Sequence, residues 1–104
     1  MKIDIFSKHI ELNAALRGFI ESKIGALEKY LPTEQPAVRV EISKPSSHHR
    51  SGEIFYAEGN LKLGRNLLRA EAQDADLHAA ITVVRDELQA QIKKFKDKKL
   101  AARR

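Results

Sequence analysis

The 104-residue sequence contains no cysteine and no tryptophan, and only three prolines and five glycines. Without cysteine the chain cannot form a disulfide framework, a thiolate metal site or a cysteine nucleophile, which fits a reducing compartment. No segment approaches the ~18 consecutive apolar residues that a membrane-spanning helix needs. The N-terminal segment carries charges every few residues and does not resemble a secretion signal. We therefore expect a cytoplasmic protein that does not bind membranes.

Sequence motifs of the common enzyme classes are also missing. There is no G-x-S-x-G elbow, phosphate-binding loop, H-E-x-x-H helix or dinucleotide-binding glycine pattern. His48 and His49 are adjacent in a segment rich in proline, serine and glycine, so their side chains should point apart. We interpret this segment as a solvated loop or, with Arg50, as a phosphate contact. We expect no catalytic residue, metal, cofactor or small-molecule substrate.

The residues that are present indicate an ordinary globular domain, because hydrophobic residues make up 42% and charged residues 32% of the chain. Apolar and polar residues alternate in residues 1–10, which predicts a strand. Asn13 stands where a helix N-cap is expected. Apolar residues then recur at helical spacing, namely Leu16, Ile20, Ile24, Leu27 and Leu31.

The middle of the chain predicts three further strands. Residues 37–43 alternate like the first strand, and residues 53–63 and 66–72 are close enough to form a hairpin. Gly59 inside the hairpin indicates a bulge or a close packing contact. One sheet face should remain exposed, and the polar residues expected there are Arg39, Glu41, Glu58, Lys62 and Arg69.

A second helix should follow, with Asp76 as its N-cap. Its apolar stripe comprises Leu77, Ile81, Val84, Leu88, Ile92 and Phe95. The order β-α-β-β-β-α predicts an α+β fold, in which two helices pack on one face of a four-stranded mixed sheet, like a double-stranded-RNA-binding domain. We expect a single domain over residues 1–99 and a short basic tail over residues 100–104.

Positive charge is concentrated at the end of the chain. Residues 91–104 contain seven basic residues and one acid, whereas the first ninety contain twelve basic and thirteen acidic residues. A few cations at a helix C-terminus complement its dipole, but seven repel one another unless a polyanion neutralises them. An interfacial membrane helix would need a broad exposed apolar face with aromatic anchors. The pattern therefore favours nucleic acid, contacted through its phosphates.

The basic residues of the second helix form two rows. Arg85, Lys93 and Lys96 share one face of the helix, and Lys94 and Lys98 form a second row beside them. These helix faces carry charge without stacking aromatic residues, so they should recognise the backbone and shape of structured RNA or DNA.

Residues 75–99, ADLHAAITVVRDELQAQIKKFKDKK, resemble the last helix of the ribosome hibernation-promoting factors, also called ribosome-associated inhibitors or sigma-54 modulation proteins. Residues 10–30, IELNAALRGFIESKIGALEKY, are similar to the first helix of that family, and LLRAEAQD is similar to the strand before its last helix. Two positions depart from the family pattern: Glu87 replaces a usual lysine and Thr82 a usual aspartate.

This resemblance implies a non-enzymatic protein that binds the small ribosomal subunit between its head and body. There it would block the mRNA and tRNA sites and silence translation in stationary phase or stress. It also implies that Arg17, Lys23 and Lys29 of the first helix contact ribosomal RNA, together with the basic residues of the second. We expect a short form of the family that is a monomer off the ribosome. A general structured-RNA-binding module is the alternative, and a small nuclease is disfavoured.

Overall fold

The computed structural model describes residues 1–31, 36–44 and 54–102, which form strands and helices in the predicted order. The elements are β1 (Lys2–Lys8), α1 (Ala14–Gly25), a 3₁₀ helix (Ala26–Tyr30), β2 (Ala37–Ser43), β3 (Phe55–Leu63), β4 (Asn66–Asp74) and α2 (Leu77–Ala102). The proposed phosphate contact of His48, His49 and Arg50 lies outside the described residues, as do Arg103 and Arg104.

The strands form one four-stranded sheet in the order β1-β2-β3-β4. β1 and β2 are parallel, while the β2–β3 and β3–β4 pairs are antiparallel. The β3–β4 hairpin closes through a two-residue turn, in which Gly64 has a φ of 62°. Glycine adopts this left-handed conformation without steric cost. The predicted mixed sheet and α+β fold are therefore confirmed.

Both helices pack on the same face of the sheet and share one core. The predicted stripes supply it: α1 and the 3₁₀ helix contribute Leu16, Ile20, Ile24 and Leu27, and α2 contributes Leu77, Ala80, Ile81, Val84, Leu88 and Ile92. Phe95 is only half-buried, so the core of α2 ends one turn earlier than the sequence pattern predicts.

The predicted caps fix where the helices begin. The side-chain oxygen of Asn13 accepts a hydrogen bond from the backbone N–H of Leu16 at 2.8 Å. The carboxylate of Asp76 accepts one from the backbone N–H of His78 at 2.9 Å. Each bond satisfies an amide that the first turn of a helix leaves without a partner.

The far face of the sheet departs from expectation at Glu58. The strand alternation does place this residue on the face away from the helices, but only 8% of it is exposed. Gly59, its neighbour, pairs in unbroken register with Val40 and Ala70. Gly59 therefore marks a close packing contact rather than a bulge.

Candidate nucleic-acid interface

The lysine-rich end of α2 extends beyond the packed core. Among the α2 residues whose burial is described, which end at Lys99, Ile92 is the last buried one, yet α2 continues for ten more residues to Ala102. At 1.5 Å per residue, this extension is about 15 Å long. Lys93, Lys94, Lys96 and Lys98 are all exposed along it. The preceding turns of α2 pack against the sheet, so the backbone positions of these four lysines are fixed.

The two predicted rows lie on different flanks of α2. Lys93 and Lys96 line a groove together with Tyr30 of the 3₁₀ helix, so their row faces α1 and the 3₁₀ helix. The other flank faces β4, because the side-chain amide of Gln91 donates a hydrogen bond to the Arg69 carbonyl at 2.7 Å.

Lys94 and Lys98 belong to that second flank. They follow Gln91 by three and seven residues, which are helical spacings for one face. The acidic residue Glu87 precedes Gln91 by four and shares the same flank. Both flanks therefore mix cations with acids: Lys93 and Lys96 line the groove together with Asp86 and Asp97, whereas Lys94 and Lys98 share the other flank with Glu87.

Arg85 begins the groove-side row, but its charge is partly neutralised. Its Nε donates to the carboxylate of Asp86 at 2.8 Å, and its side chain is only 25% exposed. An RNA phosphate would have to compete with this ion pair. Arg85 is therefore a weaker candidate for phosphate contact than Lys93 or Lys96.

The three candidates from the first helical segment lie at different places. Arg17 is exposed in the first half of α1. Lys23 is half-buried, with its ammonium 5.7 Å from the ring centroid of Phe19. Lys29 is exposed, and its ammonium lies 5.2 Å from the ring centroid of Tyr30. Lys29 therefore lies near the groove, because its ammonium contacts the ring of Tyr30, whereas the ammonium of Lys23 contacts the ring of Phe19.

Phe19 also joins the two helices. Its ring meets the ring of His78 edge to face, with centroids 4.3 Å apart. This contact connects α1 to the first turn of α2. Lys23 is therefore near the start of α2, while Lys29 lies beside Tyr30, which lines the groove with Lys93 and Lys96. The structure divides the predicted site residues into these separate regions.

The groove between the 3₁₀ helix and α2 has a volume of about 630 Å³. Its apolar lining comes from Tyr30, Ala90 and Ile92. Its polar lining comes from Gln89 and from the charged residues Asp86, Lys93, Lys96 and Asp97. A concave site with an apolar lining and a few polar groups has the general character of a ligand site.

Sequence reasoning missed a polar network on the opposite face of the sheet. The Tyr56 hydroxyl donates to Glu58 at 2.5 Å and contacts Glu71 at 2.8 Å. The Asn60 amide and the Arg69 guanidinium each donate to Glu58 at 2.7 Å. These bonds satisfy both carboxylate oxygens of a buried acid, which would otherwise be costly to desolvate.

This network shifts the pKa values of its members. Hydrogen bonds from Tyr56 and Asn60, supported by Arg69, lower the pKa of Glu58 from its ordinary value of 4.5 to about 2. Burial raises the pKa of Tyr56, and its hydrogen bonds to Glu58 and Glu71 raise it further. The alternating pattern predicted the face, but the network depends on strand register, which aligns Glu58 with Glu71.

Residues 1–31, 36–44 and 54–102 contain no group of three or more histidine, aspartate or glutamate side chains that could hold a metal ion. Among the helices in the same ranges, none is long and apolar enough to cross a membrane.

Comparison with known proteins identifies relatives along nearly the whole chain. Residues 3–100 match the family model of sigma 54 modulation protein / S30EA ribosomal protein. The ribosome hibernation promotion factor of Staphylococcus aureus (strain COL) is 30% identical over 97 residues. That match covers 92% of this chain but 48% of the relative, so the chain spans about half the relative's length.

Two solved structures share the fold. The N-terminal domain of Thermus thermophilus Protein Y superposes with a TM-score of 0.77 at 30% identity, covering 91% of this chain and 99% of that domain. A ribosomal subunit interface protein from Coxiella burnetii gives a TM-score of 0.74 at 19% identity, covering 93% and 99%, and supports the fold alone. With the family model matching residues 3–100, the chain belongs to the sigma 54 modulation protein / S30EA ribosomal protein family.

Proposed function

We propose that this protein is a ribosome-associated hibernation factor that inhibits translation by occupying the small ribosomal subunit. Membership of the family supports a ribosomal partner. The Staphylococcus aureus relative is named a ribosome hibernation promotion factor, although this chain spans about half its length. In the proposed mechanism the protein acts by steric occlusion of the mRNA and tRNA sites in the decoding channel.

The observation that carries the proposal is the pair of exposed lysines beside the groove on α2. Lys93 and Lys96 are exposed beside a groove, on a helix whose preceding turns are buried as far as Ile92. Pre-positioned cations lose less conformational entropy on binding than cations on a free chain. Phosphate contacts of this kind hold a protein on structured RNA without reading its sequence.

The remaining features of the proposal follow from this steric mode of action. The protein needs no catalytic group, cofactor or small-molecule substrate in order to block a channel. We place it in the cytoplasm, where ribosomes are, as a monomer when it is not bound. Residues 1–99 form the binding domain, and residues 100–104 form a basic tail whose first three residues still belong to α2.

A general structured-RNA-binding module is the second candidate. The antiparallel strands β2, β3 and β4 are followed by α2, which is the element order of the core of a double-stranded-RNA-binding domain. Lysine contacts to phosphate carry no sequence information, so they suit either function. The parallel strand β1 extends the sheet beyond that core and favours the ribosomal function.

Cosedimentation with isolated ribosomal subunits in sucrose gradients tests the proposal. We expect the protein to migrate with small subunits and not with large subunits, and an excess of free double-stranded RNA should not displace it. Equal migration with both subunits, or with neither, would contradict ribosomal specificity. Complete displacement by double-stranded RNA would instead support the general RNA-binding module.

A further inference from the structure

We propose that the groove between the 3₁₀ helix and α2 binds one unpaired nucleotide of the RNA, with a preference for bases that carry an exocyclic amino group. This inference rests on the proposed RNA-binding function and adds a base-recognising site to it. The groove has an aromatic lining, charges of both signs around it and a size that suits a nucleotide.

The groove can hold a base against apolar surface. Tyr30, Ala90 and Ile92 line it, and its volume of about 630 Å³ lies within the range of about 300–1,000 Å³ that is typical of small-ligand sites. Proteins that recognise RNA by sequence commonly stack an unpaired base on an aromatic side chain. Tyr30 is the aromatic residue that lines this groove.

The cations around the groove suit the phosphate of the same nucleotide. Lys93 and Lys96 line it from α2. Lys29 lies near it, with its ammonium 5.2 Å from the centroid of the Tyr30 ring, and Tyr30 lines the groove. A phosphate held by Lys93 and Lys96 would leave the attached base within the groove that Tyr30 also lines.

Two carboxylates determine how the nucleotide would be oriented in the groove and which bases it would prefer. Asp86 and Asp97 both line the groove, where they repel phosphate and attract hydrogen-bond donors. Asp86 already accepts from Arg85, whereas Asp97 makes no ion pair within the described part of the chain. A carboxylate accepts well from the amino group of cytosine. Uracil has no amino group, so Asp97 should favour cytosine over uracil.

Gln89 also favours placing the base inside the groove, because it lines the groove and its side-chain amide both donates and accepts hydrogen bonds. It can therefore serve the ring nitrogens and carbonyl oxygens of a base. The site thus presents an aromatic surface, an amide and a carboxylate for the base, and lysines for the phosphate.

The test uses three five-nucleotide RNA probes with the same phosphate charge: oligocytidine, oligouridine and an abasic pentamer. Their affinities are measured at low salt with the full chain, and ¹⁵N-edited NMR locates the signals that shift. We expect oligocytidine to bind about fivefold or more tighter than oligouridine, with shifts centred on Tyr30 and Gln89. Equal affinity for all three probes would overturn the proposal in favour of phosphate binding alone.

Asp97→Asn isolates the carboxylate, and Glu87→Gln on the other flank of α2 is its charge-matched control. We expect Asp97→Asn to abolish most of the preference for cytidine over uridine, and Glu87→Gln to retain it. Tyr30→Leu should weaken oligocytidine binding about fivefold or more, whereas Tyr30→Phe should not. Tyr30 packs against the core, so melting curves must accompany these variants. An unchanged preference in Asp97→Asn would contradict the site.

Cosedimentation with small subunits distinguishes failure of the nucleotide site from failure of the proposed ribosomal function. If the wild-type protein discriminates between the pentamers but does not cosediment with small subunits, the ribosomal function fails and the nucleotide site stands. If it cosediments but binds the three probes equally, the nucleotide site fails alone.

Discussion

At the scale of single residues, Gly59 determines how closely α2 approaches the sheet. A β-carbon at this position would lie 2.8 Å from Cγ1 of Val84 and 2.9 Å from Cδ1 of Leu88. Both distances are too short for carbon atoms in van der Waals contact, so Val84 or Leu88 would have to move. All three residues are buried, which leaves little room for such movement. We therefore expect Gly59→Ala to lower the free energy of unfolding by about 1–3 kcal/mol, as overpacking of a core generally does. Urea denaturation measures this change.

Gly18→Ala provides the matched control. Gly18 lies within α1, is exposed, and would bring no new β-carbon contact within 4 Å. Alanine there should raise the free energy of unfolding by about 0.5–1 kcal/mol, because glycine is a poor helix former. Equal effects of the two substitutions would show that packing beneath α2 does not decide the outcome at Gly59.

The carboxylate of Glu58 predicts a specific acid sensitivity. Its pKa in the folded protein, about 2, lies below its ordinary value of 4.5. The unfolded chain therefore binds the proton at a higher pH than the folded protein does. The stabilisation from the ionised carboxylate is complete above about pH 5 and is lost as the pH falls toward 2.

Glu58→Gln should remove this part of the pH dependence. We expect its free energy of unfolding at pH 7 to be lower by about 1–3 kcal/mol, because charged hydrogen bonds from Tyr56, Asn60 and Arg69 are weakened. The difference from the wild type should shrink as the pH falls from 5 to 2. Denaturation in urea at several pH values measures it, and a difference that stays constant with pH would argue against the low pKa.

At the scale of elements, the two flanks of α2 can be separated by equal changes of charge. Lys93→Gln/Lys96→Gln removes two charges beside the groove, and Lys94→Gln/Lys98→Gln removes two from the flank that faces β4. We expect the first pair to weaken small-subunit binding tenfold or more, about 1.4 kcal/mol, and the second pair about threefold or less. Binding assays and inhibition of in vitro translation both measure this.

Two controls accompany this comparison: the free energy of unfolding of each variant, and a deletion of residues 100–104. Both double variants should unfold within about 0.5 kcal/mol of the wild type, since glutamine retains helix propensity at exposed positions. Deleting residues 100–104 also removes two positive charges, Arg103 and Arg104. It leaves all four lysines of the two rows in place, so the deletion should matter less than the loss of Lys93 and Lys96. Loss of inhibition in the deletion alone would assign binding to the tail.

The elements also show which features a single sequence can predict. The helices were predictable because Leu16, Ile20 and Ile24 repeat at a spacing that depends only on local geometry. Their caps were predictable for the same reason, since Asn13 and Asp76 bond to amides within three residues. These features require no knowledge of how distant parts of the chain meet.

Features that depend on distant contacts were not predictable. The burial of Glu58 requires the register that brings Arg69 beside it across the hairpin. The groove requires Tyr30 to pack next to α2, more than fifty residues later in the chain. The two rows of cations were therefore predictable from helical spacing, while the elements that each row faces came only from the tertiary structure.

At the scale of the whole molecule, charge is separated along an elongated body. The molecule measures 55 Å along its longest axis and 26 Å by 19 Å across. The first ninety residues carry a net charge of −1 and the last fourteen a net charge of +6. Since α2 continues beyond the core, an approaching polyanion meets the positive end with little repulsion from the body.

This asymmetry predicts that ribosome binding weakens steeply with salt. Each phosphate that a lysine or arginine neutralises releases condensed counterions, which gives a slope of about −0.7 to −0.9 per contact in a plot of log affinity against log salt. Four to six contacts from the candidate residues should give a slope near −3 to −5. Small-subunit affinity measured over a series of salt concentrations tests this.

The variant Lys93→Gln/Lys96→Gln makes the salt test specific to the groove flank. Losing two phosphate contacts should reduce the slope by about 1.4–1.8 as well as lower the affinity. Lys94→Gln/Lys98→Gln removes the same charge and should leave the slope nearly unchanged. A flat wild-type response would point to apolar or protein-mediated binding. Equal slope changes in the two variants would mean that the net charge of α2, and not the position of its lysines beside the groove, determines the affinity.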